Sequence, residues 1–336
     1  LTASAPPGCT EADWERFVAF AEALVATGDL DPASVLLKGL ADHWDLGTEG
    51  RIRLVMLWIA YDHTASVLHF WERHGFPDHR PIPLDLLRLP TSMERRGHRS
   101  PRALQRHLEA LGARDSWSRT IQKLMVSGAP RASWLNVVDY VATIPGNGRW
   151  SSFKAGEMLV EVAGLPLDAP DCRHGESSGP RTGLGLLLPE TAAFAGNDEE
   201  TVAWLDLQTR NVRDALEAAV GYKVPMHQLE SILCDYQAML RGRYWIGHDI
   251  ELQRQEMEAS RFLDGKMKAL AYQVRAECFP AALLGELGAL DGRDRKALAA
   301  ATTAGEVHWW SDGLGPGALP RNGSAAKSGR SADKVG

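Results

Sequence analysis

Ile144-Pro145-Gly146-Asn147-Gly148 is the stretch on which the reading of this chain turns. Before it, Trp134 to Thr143 carries Leu135, Val137, Val138 and Val141 close to helical spacing. After it, Ser151 and Ser152 offer N-cap oxygens, and Phe153, Met158, Leu159 and Val162 continue an apolar helical face to Gly164. Two glycines permit positive φ in a tight turn, and Pro145 fixes the entry angle. The turn amides and the positive end of the second helix are therefore expected to point outward, as a seat for a phosphate. A plain helix–helix connector is the competing reading.

On both sides of this stretch helical periodicity dominates. Asp13 to Ala26 has Trp14, Phe17, Val18, Phe20, Leu24 and Val25 before a Gly28-Asp29 stop, and Asp31-Pro32 opens a second helix through Leu40 to Trp44. Glu49 to Arg73 reads as the longest helix, apolar on most sides and so central, with Asp62, His63 and Thr64 in need of hydrogen-bond partners. The prolines at 77, 81, 83 and 90 impose extended loop from Gly75 to Pro90. Asp198 to Ala219 and Pro225 to Leu240 are helical again, and Glu251 to Leu290 is mostly helix, broken near Pro280. No segment has strand period and no internal repeat is present, so the expected class is all-α. Four regions are expected: N-terminal helices over 1–90, a core over 91–260, C-terminal helices over 261–312, and a Gly/Ser/Ala/Lys-rich disordered tail over 313–336.

With 336 residues, 44% of them apolar, the chain can build a large core. No apolar run is long enough to cross a bilayer, and no basic leader opens the chain, which gives an expectation of no membrane partner and a cytoplasmic location. Four dispersed cysteines without a Cys-x-x-Cys pair argue against a zinc ribbon, an iron–sulfur cluster or a disulfide framework. The net charge of −6 hides a strong asymmetry. Between Arg95 and Arg131 stand nine basic residues against Glu109 and Asp115, a surplus of seven just upstream of the turn. Such a segment fits DNA backbone contacts, although a solvated helix face would look the same.

The loop from Leu167 to Leu184 is rich in Asp, Arg, His, Ser and Gly, and is where a site is expected. Its Asp171, Arg173 and Arg181 join Glu230, Cys234, Asp235, Arg241, Tyr244, His248 and Asp249 as candidates. Glu230 and Cys234 share a helix face, with a helix ion pair as the plain alternative for the carboxylates. His248-Asp249 could orient an imidazole as a base, and no His/Asp spacing supports a metal. Tyr244 and Trp245 could stack on a base, but most of the eleven tryptophans are expected in the core.

The order helix, Ile-Pro-Gly-x-Gly, helix, then an aspartate resembles the helix-hairpin-helix DNA glycosylases. Asp168 and Asp171 follow Gly148 by 20 and 23 residues, and Asp171 is favoured for the pocket aspartate. The lysine of the lyase-active members is replaced by Trp150. Glu230-Ser-Ile-Leu-Cys-Asp-Tyr236, Gly242-Arg-Tyr-Trp-Ile-Gly-His-Asp-Ile250 and Ser178-Gly-Pro-Arg-Thr-Gly-Leu184 resemble a further family over roughly residues 50 to 260. This is the phage and bacterial alpha-glutamyl/putrescinyl thymine pyrophosphorylases, also described as amino acid:DNA transferases.

That resemblance implies a helix-hairpin-helix glycosylase-like bundle that acts on double-stranded DNA containing phosphorylated 5-hydroxymethyluracil in an infected bacterial cell. A free amino acid such as glycine, or a polyamine, would displace the (pyro)phosphate from an extruded base. It implies catalytic roles for Asp171, Glu230, Asp235, His248 and Asp249. Arg173, Arg181, Arg241 and Tyr244 would bind substrate and phosphate. DNA contacts would come from Gly146, Asn147, Gly148, Lys154, Arg95, Arg96 and Arg99. No cofactor would be required, though the hairpin could hold a structural monovalent cation. A Cys234 thiolate adding to the pyrimidine ring would assist expulsion of the leaving group. The alternative function is a monofunctional glycosylase or a DNA-binding module of the same fold.

Overall fold

The computed structural model describes residues 4–78, 80–91, 100–194, 196–241 and 243–284. Among these residues there are helices and turns but no strand, so the class is all-α. Arg95, Arg96, Arg99 and the 313–336 tail lie outside the described residues. No helix among them is long and apolar enough to cross a membrane.

The helices are α1 (Glu11–Thr27), α2 (Pro32–His43), α3 (Thr48–Tyr61), α4 (Thr64–His74), α5 (Pro101–Gly112), α6 (Trp117–Leu124) and α7 (Pro130–Ala142). They continue as α8 (Arg149–Glu161), α9 (Ser178–Leu187), α10 (Glu199–Val220), α11 (Met226–Leu240), α12 (His248–Ala259) and α13 (Gly265–Cys278). Their starts follow local chemistry. Thr10, Asp31, Ser100, Ser116 and Asp198 each accept the N–H of a residue in the first turn, and Pro32, Pro101 and Pro130 stand at the opening of their helices.

The centre is α3. From Ile52 to Tyr61 every residue except Arg53 is buried, and α2, α4, α5, α6 and α8 pack around it. The single long helix expected over Glu49–Arg73 is two helices. Asp62 takes a left-handed conformation (φ 51°) that ends α3, and the His63 ring accepts the Ser66 N–H to start α4. The residues that needed partners are thus the ones that make the break. The 75–90 loop also contains a 3-10 turn at Leu86–Arg88. One buried cluster runs from Trp14 to Leu284 and so joins the N-terminal helices, the middle of the chain and α13.

Two close helix crossings hold the middle of the chain in place. Trp134 of α7 lies over Gly156 of α8, where a Cβ would come within 2.8 Å of the indole. Trp134 precedes the turn by about as many residues as Gly156 follows it, so α7 and α8 run antiparallel. The second crossing joins α9 to α11. The 178–184 segment, expected in a loop, opens α9 instead. A Cβ on Gly183 would lie 2.1 Å from the Leu233 carbonyl oxygen, and one on Gly179 would lie 2.5 Å from the Cys234 sulfur. Two glycines one turn apart let the α9 backbone settle on α11.

Candidate functional site

The turn between α7 and α8 is tighter than its sequence suggests. Ile144 is buried as a plug, while Pro145, Gly146 and Gly148 are exposed and Gly146 has φ 89°. The Asn147 N–H donates to the Ile144 carbonyl at 3.0 Å, and the Asn147 side-chain amide to the Val141 carbonyl at 3.1 Å. Gly148 N–H donates to Ser151 Oγ at 2.8 Å. Ser151 is therefore inside the helix, reaching back to Gly148, rather than the N-cap expected from sequence. The Asn147 and Gly148 amides expected to face a phosphate are spent within the turn. The positive end of the helix lies at the first turn of α8, where Arg149 and Ser151 precede the first ladder bond, Ser152 N–H to Gly148 carbonyl at 3.0 Å. The Arg149 side chain stands at the same helix end.

Upstream, Arg102, Arg106, Arg119 and Lys123 are exposed on α5 and α6. Two other members of the basic segment are occupied. Arg114 donates to the Tyr140 hydroxyl and lies over the Trp117 and Tyr140 rings, and Arg131 pairs with Asp168 at 3.1 Å.

Further along α8, on the flank away from the turn, lies a cavity of about 440 Å³ between α2, α8, α11 and α13. That volume suits a small ligand. Its polar lining is assembled from distant parts of the chain. Asp31 caps α2 and also meets Lys154 Nζ at 3.0 Å; the same ammonium is 3.2 Å from Glu157. Lys154, expected on DNA, is instead nearly buried between two carboxylates. Ser231 Oγ donates to Glu157 at 3.3 Å. His227 Nε2 is 3.0 Å from Glu161 Oε1, which also accepts the Gln228 amide at 3.1 Å. The His227 hydrogen bond holds the Glu161 carboxyl below the usual carboxylate range against the opposing effect of burial. His227 is 2% exposed and its ring stacks on Trp134, with centroids 5.8 Å apart and planes 12° apart. Its Nδ1 is buried without a hydrogen-bond partner. Lys38 and Asp42 complete the rim, where Asp42 is ion-paired to Arg51.

Sequence reasoning missed Asp31, Glu157, Glu161 and His227. The available signal was spacing. Lys154, Glu157 and Glu161 recur every three or four residues on α8, as do His227 and Ser231 on α11, so each set forms a polar stripe on a core helix.

The candidates named from sequence fall into two groups. In the first, Asp171 Oδ1 accepts the Arg173 N–H at 2.8 Å, Arg173 adopts φ 56°, and its guanidinium pairs with Glu176 at 3.0 Å. Burial raises the neighbouring Cys172 thiol, helped by the negative charges of Glu230, Asp171 and Asp206. Burial and Asp171 push Asp206 up to about 6. Glu230 also accepts the Ser177 hydroxyl at 3.3 Å. Asp171 and Glu230 thus both act electrostatically on the Cys172 thiol, and Cys234 packs against Gly179. Arg181, expected to hold substrate, staples its own loop. It donates to Asn197 Oδ1 at 2.7 Å, to the Gly196 carbonyl at 2.6 Å and to the Phe194 carbonyl.

The second group surrounds Asp29, a fully buried carboxylate that the sequence did not single out. It accepts N–H bonds from Gly247 at 2.7 Å, Asp249 at 3.1 Å and Ile250 at 3.0 Å, and the Tyr244 hydroxyl at 2.8 Å. Burial, with Asp249 nearby, pushes Asp29 up to about 7. Tyr244 is 3% exposed and committed to this bond, so it cannot stack on a nucleobase. Asp235 lies close enough to act on the Tyr244 hydroxyl. His248 Nδ1 is 2.7 Å from Asp249 Oδ1. Arg241 is exposed at the end of α11.

No curated protein matches this chain. A family model described as amino acid:DNA transferase does match, over residues 92–244, which take in α5 to α11 with the turn, the α8 flank and the α9–α11 crossing. Over that segment the chain is similar to amino acid:DNA transferases.

Proposed function

We propose that this protein replaces the (pyro)phosphate of phosphorylated 5-hydroxymethyluracil in double-stranded DNA with an amine, using a free amino acid such as glycine as donor. The setting would be the cytoplasm of a phage-infected bacterium. The observation that supports this reading is that the N-terminal turn of α8 and one wall of the cavity belong to the same helix. Its first turn offers N–H groups and Arg149 to a DNA phosphate, and Glu157 lies eight residues beyond Arg149, about 12 Å along the helix axis. A strand held at one end of this rod can present an extruded base to the cavity beside it. The match of residues 92–244 to amino acid:DNA transferases supports the same reaction class.

The chemistry is a redox-neutral substitution at the methylene on C5 of the pyrimidine. The donor ammonium first loses a proton. Its nitrogen lone pair forms the C–N bond as the C–O bond breaks, and that electron pair leaves with the phosphate. Guanidiniums such as the half-buried Arg149 and the exposed Arg241 suit the departing charge, since stabilisation of developing charge is usually the largest catalytic contribution. The reading requires no cofactor.

The test is to incubate the protein with kinase-treated hydroxymethyluracil DNA and amino acids, digest to nucleosides, and identify them by mass. A new aminated nucleoside is expected. Release of a free base would establish a glycosylase instead, and DNA binding without either product would leave a binding module.

A further inference from the structure

A second cavity, of about 570 Å³, opens between the start of α3, α6 and the loop that leads into α7. Ile52, Ile121, Met125, Val126, Pro130 and Leu165 make it a mainly apolar groove. The loop at its mouth is pinned. Ser133 Oγ accepts the Val126 N–H at 2.8 Å, the Val126 carbonyl accepts the Ala129 N–H at 3.0 Å, and the Asn136 amide holds the Leu124 carbonyl at 3.0 Å. Val126, 43% exposed, is therefore held at the mouth instead of folding inward.

The rim gives the chemistry of the partner. Arg119, Gln122 and Lys123 share the exposed face of α6. Arg119 and Lys123 make no ion pair among the described residues. Two carboxylates of the same elements are already engaged. Glu49 pairs with Arg53 and accepts the Trp117 and Ser118 N–H groups, and Asp168 pairs with Arg131. An apolar slot beside free cations suits a nucleotide, which joins flat ring faces to an anionic phosphate. The polar group at the slot is the Gln122 carboxamide, whose side chain makes no hydrogen bond among the described residues. Its donor and acceptor match N7 and N6 of adenine.

Distance decides which nucleotide. The groove meets the start of α7 at Ala129 and Pro130, and the turn before α8 follows its other end. The 13 residues of α7 span about 20 Å. On a strand gripped at α8, that reach is about six nucleotides at 3.4 Å each, where bases are still paired and stacked. Across the duplex the same reach meets the complementary strand. There the base opposite an extruded hydroxymethyluracil is an adenine that has already lost its partner, so its capture costs no further unpairing. We infer that the groove receives this adenine, with Gln122 on its N6/N7 edge and Arg119 and Lys123 on the flanking phosphates. Met125 packs on the ring, since thioethers contact aromatic faces favourably. The inference rests on the proposed action on double-stranded DNA and deepens it: α8 holds the target strand, and the groove keeps the opened pair from closing.

The test is fluorescence anisotropy of the full-length chain on a duplex with one phosphorylated hydroxymethyluracil·adenine pair. Changing that adenine to 7-deaza-adenine removes N7 and keeps the Watson–Crick pair. Wild type is expected to bind the altered duplex about fivefold or more weakly, the lower end for a bidentate contact to a base edge. Gln122→Leu, at an exposed position, should lose as much on the adenine duplex and nothing further on the altered one. Lys123→Gln should weaken both duplexes alike and reduce the slope of log affinity against log salt by about 0.9. Equal wild-type affinity for the two duplexes overturns the inference without recourse to any variant. So do additive losses from the analogue and Gln122→Leu, or a DNA-free dimer that Gln122→Leu splits, which would put a second copy in the groove. Amine transfer is followed on the same duplexes. Transfer with no discrimination between them removes the groove and leaves the reaction standing. Discrimination that vanishes in Gln122→Leu, with no transfer by wild type, sinks the reaction and leaves the groove.

Discussion

Replacing Lys154 by Met removes the cation shared by Asp31 and Glu157 and leaves two carboxylates facing each other. The contacts are 3.0 and 3.2 Å, each an attraction of about 5 kcal/mol at an effective dielectric constant of about 20. Desolvation of the three groups offsets most of that sum, because each ion costs several kcal/mol to take out of water. Loss of one partner is the expensive case, at about 3–5 kcal/mol for a fully buried pair. Side-chain exposures of 14% for Lys154, 19% for Asp31 and 8% for Glu157 place this cluster near the lower end. We therefore expect Lys154→Met to lower the unfolding free energy by about 2–4 kcal/mol at pH 7, by urea denaturation. The two carboxylates, left within about 6 Å of each other, repel by about 3 kcal/mol at the same dielectric constant. In the variant the folded protein then binds one proton more readily than the unfolded chain, so the deficit should shrink as pH falls from 7 to 5. A deficit below about 0.5 kcal/mol, or one that grows on acidification, would refute the placement. Affinity for duplex DNA should not change, because this lysine is not available to a phosphate.

Gly183→Ala places a Cβ 2.1 Å from the Leu233 carbonyl, so it should destabilise by about 3 kcal/mol or more, whereas Gly265→Ala, with nothing within 4 Å, should stay within about 1 kcal/mol of wild type in the same denaturation series. Burial pushes Glu256 up to about 7, although it accepts the Thr64 N–H. Between its ordinary value and pH 7 the folded state holds the extra proton, so this group's stabilisation is present at low pH and lost as pH rises to about 7. Glu256→Gln should flatten about 2–3 kcal/mol of that slope in a pH series of urea melts. Arg149→Gln should weaken duplex binding and reduce the slope of log affinity against log salt by about 0.9, the share of one phosphate contact. An unchanged slope would remove Arg149 from the DNA surface.

The helices were legible where local chemistry speaks. Asp31-Pro32 marks a start, and Pro145-Gly146 marks the turn between two apolar stripes. The α3–α4 break was hidden because an aspartate, not a glycine, takes the left-handed position at 62. The start of α9 was hidden because Ser-Gly-Pro reads as loop; its glycines are there for contact with α11, which only the packed structure reveals. The reaction class was legible through resemblance, carried by segments at 178–184 and 230–250. Much of the geometry of that signature is structural, since Gly179 and Gly183 seat a helix, Arg181 staples a loop and Tyr244 bonds Asp29. The cavity was the least legible part. It joins Asp31, Glu157 and His227 across long separations, and periodicity shows that a face is polar without showing which other face it meets.

The central claim is a one-for-one exchange of phosphate for amine on a DNA base. DNA carrying 32P-labelled phosphorylated hydroxymethyluracil, incubated with this protein and 14C-glycine, measures both sides at once. The account predicts that each equivalent of label lost to solution as phosphate or pyrophosphate is matched by one equivalent of 14C in the nucleoside. Phosphate release without carbon incorporation in the presence of glycine and other amines, or loss of the intact base from the strand, would contradict it.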